Sequence, residues 1–238
     1  MTNIRPDNNQ LINRAKLFFK EEIVPSHLKK ALNKASKLKN YKVNPFTVKY
    51  LANFLEGDDS PKSIAKALIY PRILGTSIST IFGNQAQKMI SNVFEGYGSA
   101  IHGIDIEFDD LVDGRKKYCQ IKAGPITINS GDVKTVKDHF NGIRSLARTN
   151  NLQIQYGDLI VGVLYGNTNQ LSKNYKDIQK EFPVLIGSDF WHRLTGQVGF
   201  YSQLTEAIGE VALEIDGREM LEEAINLLSV DIEKSLLK

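Results

Sequence analysis

The sequence is short of cysteine, of long apolar runs and of the common nucleotide-binding motifs, and each shortage closes off a class of function. A single cysteine, Cys119, in 238 residues excludes a disulfide framework and a multi-cysteine zinc cluster. No apolar stretch approaches the ~18 residues that span a bilayer. The opening MTNIRPDNNQ lacks a charged start followed by an apolar core, so the expected setting is the cytoplasm, with no membrane attachment. A Walker loop, a dinucleotide fingerprint and a Gly-x-Ser-x-Gly elbow are all missing, which leaves kinase, dehydrogenase and serine-hydrolase readings without a motif. There is no internal repeat and no low-complexity tract. What remains, at 42% hydrophobic and 24% charged residues, is ordinary globular composition.

The net charge of +3 is mild but unevenly placed. Residues 1–50 carry eleven Lys and Arg, among them Lys29, Lys30, Lys34, Lys37 and Lys39, against Asp7, Glu21 and Glu22. The C-terminal thirty or so residues reverse this, from Glu206 to Glu233. A basic arm suits a polyanion, because neutralised phosphates release condensed counterions. A solvated helix face fits the same charges.

Hydrophobic spacing divides the chain. Leu28, Ala31, Leu32, Ala35 and Leu38 recur at helical spacing with Ser26 as the expected N-cap. Further helices are expected from Pro45 to Leu55, from Ser60-Pro61 to Pro71, and along the Ala86, Ile90, Val93, Phe94, Tyr97 stripe. The period then changes. Ile104, Ile106 and Phe108 alternate with Asp105 and Glu107, and after Asp113-Gly114 the run Tyr118–Lys122 alternates again, which predicts a hairpin. A helix over Asp132–Ala147, a strand over Leu159–Leu164, a helix near Asp177, a short apolar run at Pro183–Ile186 and acidic helices complete an α/β order with a central mixed sheet flanked by helices. The expected division is a helical N-terminal region over 1–82 that grips DNA or dimerises, a core over 83–204, and C-terminal helices over 205–238 packed on that core.

With Asp113 and Gly114 as a two-residue loop, Phe108 faces Cys119, Ile106 faces Ile121 and Ile104 faces Ala123, so one face is apolar and must be buried. The other face sets Glu107 against Gln120 and Asp105 against Lys122. Two carboxylates and an amide oxygen are hard ligands that suit Mg²⁺ or Mn²⁺ rather than zinc. A lysine beside such a cation and a phosphate can orient water. A solvent-facing strand pair with cross-strand ion pairs fits the same spacing.

The wider string decides between them. Gly103-Ile104-Asp105 followed by Gln120-Ile121-Lys122 resembles the PD-(D/E)XK motif of the restriction-endonuclease-like nucleases. Gly-Ile-Asp-Ile-Glu-Phe, then Gln-Ile-Lys-Ala-Gly-Pro-Ile-Thr-Ile-Asn, and Gly-x-x-Phe-Trp-x-x-Leu-Thr-Gly at 187–196 together resemble type II restriction endonucleases over roughly residues 83–200. The resemblance implies a restriction-endonuclease-like core and Mg²⁺-dependent hydrolysis of both strands of a short palindromic DNA site, leaving 5′-phosphate ends. It implies Asp105 and the Ile121 backbone carbonyl as metal ligands, Lys122 beside the attacking water, and Glu95 as a further acid on the preceding helix. Gln120 stands where the family has Glu or Asp, and Glu107 is the expected compensating carboxylate. A homodimer and a companion methyltransferase are implied partners. A repair or junction-resolving nuclease with the same core, and a non-catalytic DNA-binding module, are the alternatives.

Downstream of the motif, Thr127, Asn129, Ser130 and Lys134 are candidate DNA-backbone contacts at a helix N-terminus. Lys137 and Arg144 are weaker ones. His102 is expected to be structural, and His139 and His192 have no cysteine or histidine partner at metal-ligand spacing. Cys119 and Trp191 are expected in the core.

Overall fold

A computed structural model describes residues 7–94, 98–151, 153–215 and 217–236. In chain order the helices and strands are α1 (Asn8–Phe18), α2 (Leu32–Ala35), α3 (Pro45–Glu56), α4 (Pro61–Pro71), α5 (Ile78–Val93), β1 (Ile106–Asp109), β2 (Lys116–Lys122), α6 (Ser130–Thr149), β3 (Leu159–Val163), α7 (Lys173–Ile178), β4 (Val184–Ile186), α8 (Ser188–Thr195), α9 (Phe200–Glu214) and α10 (Arg218–Leu236). Wide π-helical turns over Phe19–Ile23, Ser26–Ala31 and Arg72–Ser77 join the first helices. Ser26 is therefore inside a helical run and not its cap. Pro25 and Pro71 immediately precede two of these turns, and each lacks the amide that an α-helical bond needs there.

The chain forms two units, residues 1–18 with 83–208 and residues 19–82 with 209–238. In this division residues 209–238 group with the N-terminal helices, and residues 205–208 stay with the unit that holds 83–204. In that helical unit Leu32, Val48, Ala52, Ile64, Ile69 and Ile73 share one apolar cluster with Ile225, Leu228 and Ile232 of α10. Asn44 caps α3 through the Phe46 and Thr47 amides, and Ser60 caps α4 through the Ser63 amide. Residues 19–82 carry eleven basic and five acidic side chains, and residues 209–238 carry three and eight. The basic excess is thus offset inside its own unit, with Lys62–Glu222 at 3.2 Å and Lys20–Glu214 at 3.1 Å.

The other unit holds a four-stranded mixed sheet of order β1-β2-β3-β4, antiparallel between β1 and β2 and parallel beyond. On one side α6 supplies Val133, Val136, Phe140 and Ile143, which bury Leu159, Val161 and Val163 of β3 together with Tyr175 of α7. On the other side Phe108 meets the Phe190 ring edge-on at 6.5 Å. A Cβ on Gly162 would lie 2.4 Å from the Phe190 ring and 2.9 Å from the Cys119 sulfur, so only glycine lets α8 sit this close. Gly187 opens α8 at φ +52° and Gly196 closes it in the left-handed region, with Phe190, Trp191 and Leu194 buried between them. The Gly-x-x-Phe-Trp-x-x-Leu-Thr-Gly stretch is therefore a packing motif. Trp191 Nε1 donates to the Leu164 carbonyl at 2.7 Å.

The hairpin register is two residues away from the expected one. Ile106 pairs with Cys119, Glu107 with Tyr118 and Phe108 with Lys117. The turn is longer than Asp113-Gly114, because the Asp110 amide donates to the Arg115 carbonyl and the Gly114 amide to the Asp110 carbonyl. Asp110 is fully buried; its Oδ1 accepts the Val112 amide and its Oδ2 accepts from Arg193 at 2.5 Å. Lys117, 1% exposed, reaches Asp113 at 2.6 Å and Asp158 at 3.4 Å, and Arg115 Nε donates to Asp158 at 2.8 Å. Three cations and three carboxylates close this end of the sheet.

Burial opposes ionisation of Asp158, but the Arg115 hydrogen bond, the Gln155 amide and Lys117 outweigh it and hold its carboxyl below the usual range. Asp113 is lowered in the same way by Lys117, Arg115 and Arg193. A depressed folded-state value means that their stabilisation is present above the ordinary carboxylate range, near pH 4, and is lost as pH falls through the lower folded values. Asp158→Asn is expected to cost about 3 kcal/mol at pH 7, because it removes the carboxylate that pairs Arg115 and leaves the buried Lys117 with Asp113 as its one close partner, and to flatten the acid limb of a urea-denaturation series. A variant as stable as the parent at pH 7 contradicts the account.

Candidate active site

The opposite end of β1 and β2 is built differently. The ladder stops at Ile106 and Cys119, beyond which the Asp105 amide donates to the Cys119 carbonyl at 3.0 Å. The Asp105 side chain then replaces the backbone as acceptor: its Oδ2 takes the Ile121 amide at 2.7 Å. One hydrogen bond thus ties Asp105, the residue just before β1, to the middle residue of Gln120-Ile121-Lys122.

Parallel pairing sets Gln120 beside Val161 and Lys122 beside Val163, and both valines face α6. The polar face of the hairpin is therefore partly roofed by α6 rather than open to solvent. Gln120 is 5% exposed, and its Nε2 lies 3.1 Å from Nδ1 of His139 on α6. Burial raises the Asp105 carboxyl above the usual range, opposed by the Ile121 amide, Lys122 and His139. The Lys122 ammonium acts on Asp105 through its charge and forms no ion pair within 4.0 Å among the described residues.

Glu107 is not opposite Gln120. It pairs with Tyr118, accepts from the Ser99 hydroxyl at 2.7 Å, and holds Lys116 at 2.6 Å. Burial works against its charge, but Lys116 and Ser99 lower its carboxyl below the usual value. The expected pairing fails for the same reason as the register: the turn spans residues 111–114, two more than expected, and both extra residues lie on the β1 side. Glu95 lies outside the described residues. Cys119 is buried on the opposite, apolar face, where burial pushes its thiol far up, so it is an inert core group.

The segment after β2 is occupied with its own folding. Thr127 Oγ1 donates to the Gly124 carbonyl at 2.8 Å, and the Tyr175 hydroxyl donates to the same carbonyl at 2.9 Å. Burial pushes the Tyr175 phenol up to about 12, so it stays a donor. Asn129 caps α6 through the Gly131 and Asp132 amides, while Asp132 accepts the Asn129 amide in return. The Gly131, Asp132 and Val133 amides of α6 thus have internal partners. Ser130 and Lys134 face solvent, whereas Lys137 is held by Asp177 at 3.0 Å and Glu181 at 2.8 Å.

His139 is the residue that spacing along the chain missed. Its signal lay in helical phase: it neighbours Phe140 and stands three residues from Val136, at the edge of the apolar stripe of α6. Its ring meets that of His102 edge-on at 5.1 Å, and His102 itself is exposed. Among the described residues no three His, Cys, Asp or Glu side chains gather to hold a metal. The oxygens that Asp105, Gln120 and the Ile121 backbone carry are of the hard kind that suits Mg²⁺ or Mn²⁺.

A mixed sheet flanked by helices, with an aspartate at the start of one strand bonded to a Gln-x-Lys tripeptide on the next, defines a restriction-endonuclease-like nuclease core. The sequence model of the family described as type II restriction endonuclease EcoO109I matches residues 14–216, most of the chain, and the chain belongs to that family. Comparison with curated proteins finds no match. No helix among the described residues is long and apolar enough to cross a membrane.

Gly103 tests the packing of this end of the sheet. It sits at φ +82°, and a Cβ there would lie 2.3 Å from His139 Nδ1 and 2.5 Å from its Cγ. Gly103→Ala is expected to cost about 1–3 kcal/mol in urea unfolding, from backbone strain and displacement of the ring. An unchanged midpoint contradicts the placement of His139.

Proposed function

We propose that this type II restriction endonuclease cuts both strands of a short palindromic duplex DNA site in a Mg²⁺-dependent hydrolysis, leaving 5′-phosphate and 3′-hydroxyl ends. The observation that carries the reading is the 2.7 Å bond from the Ile121 amide to Asp105, which fixes the acid against the Gln120-Ile121-Lys122 strand. Asp105, the Gln120 oxygen and the Ile121 carbonyl would hold the cation. The fit rests on this site: a partly desolvated carboxyl has one oxygen engaged and the other without a hydrogen-bond partner among the described residues. When bound, a divalent cation lowers the pKa of water and polarises a phosphoryl oxygen.

The side chains supply the rest. Lys122 orients the attacking water and attracts the scissile phosphate, on the same sheet face as Gln120. Glu95 is the further acid of this reading. Glu107 keeps a place on the same strand face, but Ser99 and Lys116 already engage it. Ser130 and Lys134 touch the DNA backbone, while Thr127 and Asn129 shape the loop that presents them.

A palindromic site calls for a symmetric homodimer, each copy cutting one strand. The exposed stripe of Phe46, Tyr50 and Phe54 on α3, at 88%, 66% and 77% exposure, supports such a contact. A companion methyltransferase protecting the same site belongs to this reading, as does work in the cytoplasm.

Long duplex DNA incubated with Mg²⁺ is expected to yield discrete fragments whose ends sequence to one symmetric site. A smear favours a repair or junction nuclease, and bound, intact DNA favours a non-catalytic module. Lys122→Ala is expected to slow cutting by about 10²–10⁴-fold with DNA binding retained in a gel shift. Full activity in that variant removes Lys122 from its role.

A further inference from the structure

Glutamine as a cation ligand raises a problem that glutamate does not. A carboxylate presents oxygen from either end, so any rotation of its terminal torsion offers a ligand. A carboxamide has one oxygen and one NH₂ group, and the NH₂ is a donor only. A hard divalent cation takes the oxygen and is repelled by the amide hydrogens. An amide ligand therefore needs a neighbour that tells its two ends apart.

His139 is placed to do this. Gln120 Nε2 lies 3.1 Å from His139 Nδ1. Because the amide nitrogen donates, Nδ1 accepts, and Oε1 on the other branch has no hydrogen-bond partner among the described residues. The ring is itself held. It sits on α6 next to the fully buried Phe140, packs into the space left by the missing Cβ of Gly103, and takes the His102 ring edge-on at 5.1 Å. Gln120, 5% exposed, has little room to adopt another rotamer.

We propose that His139 is the positioning residue of the cation site: by accepting from the Gln120 carboxamide it fixes that group so that its oxygen, not its nitrogen, is offered to a divalent cation at Asp105. The inference rests on the reading of Asp105 and Gln120 as ligands. It also assigns a use to the unusual residue in the motif, since Gln120 and His139 work as a pair where glutamate works alone.

The test is Mn²⁺ binding to the intact protein without DNA, followed by titration calorimetry. Parent, His139→Leu, His139→Asn, Gln120→Glu and the Gln120→Glu/His139→Leu double variant are compared, with thermal unfolding of each metal-free protein as the check on folding. His139→Leu is expected to weaken Mn²⁺ binding by about 10- to 100-fold, as loss of an orienting partner does. His139→Asn, whose Oδ1 can stand in for Nδ1, is expected to recover most of that loss. In the Gln120→Glu background, His139→Leu is expected to produce no weakening, because both ends of the carboxylate are oxygen.

Equal weakening in both backgrounds, or none in His139→Leu, overturns the positioning role while leaving the ligand assignment standing. Absence of Mn²⁺ binding to the parent protein overturns both. Should leucine disturb α6, His139→Ala reads the same loss.

Discussion

The structure depends on one substitution of side chain for backbone. Where the β1–β2 ladder ends, the Asp105 carboxylate takes the Ile121 amide that a strand carbonyl would otherwise have taken. This bond fixes the acid on the neighbouring strand, and so brings together residues 15 to 17 positions apart without a long side chain having to reach. It also sets the electrostatics. Partly buried, the carboxyl is desolvated enough to lie above its usual range, and the low dielectric that penalises its charge strengthens its attraction to any cation that arrives.

The same two strands solve opposite problems at their two ends. At the turn, Lys117, Arg115 and Arg193 are matched with Asp113, Asp158 and Asp110, and the buried members have partners. At the other end Asp105 and Gln120 keep oxygens that no described residue uses. A closed charge network at the turn holds the hairpin against β3 and α8, and the open end inherits that rigidity. Positioning of this kind needs a stiff support, because an error of about 1 Å at a catalytic group costs rate steeply.

Much of the site was legible because strand periodicity is two. The hairpin register differs from the expected one by two residues, and a shift of two leaves every side chain on its original face. Asp105, Gln120 and Lys122 therefore share a face in either register, although each pairing differs. The pairing itself was not legible. The turn is set by Asp110 and by Arg193, 83 residues further on, and no local dipeptide carries that information. Glu107 was misplaced with it. His139 was legible from helical phase but not from spacing to another ligand, since its partner is an amide. The helical unit shows the same limit: the acidic sign of α10 was plain, whereas its place among the basic N-terminal helices is a tertiary fact.

The central claim is that Asp105 and Gln120 offer oxygens to one cation. Anomalous scattering from a Mn²⁺-soaked crystal tests it most directly. The account predicts a peak bonded to Asp105, the Gln120 side-chain oxygen and the Ile121 carbonyl, with oxygen distances near 2.2 Å, as for hard divalent ions. A peak bound elsewhere, with Gln120 turned away from Asp105, contradicts it.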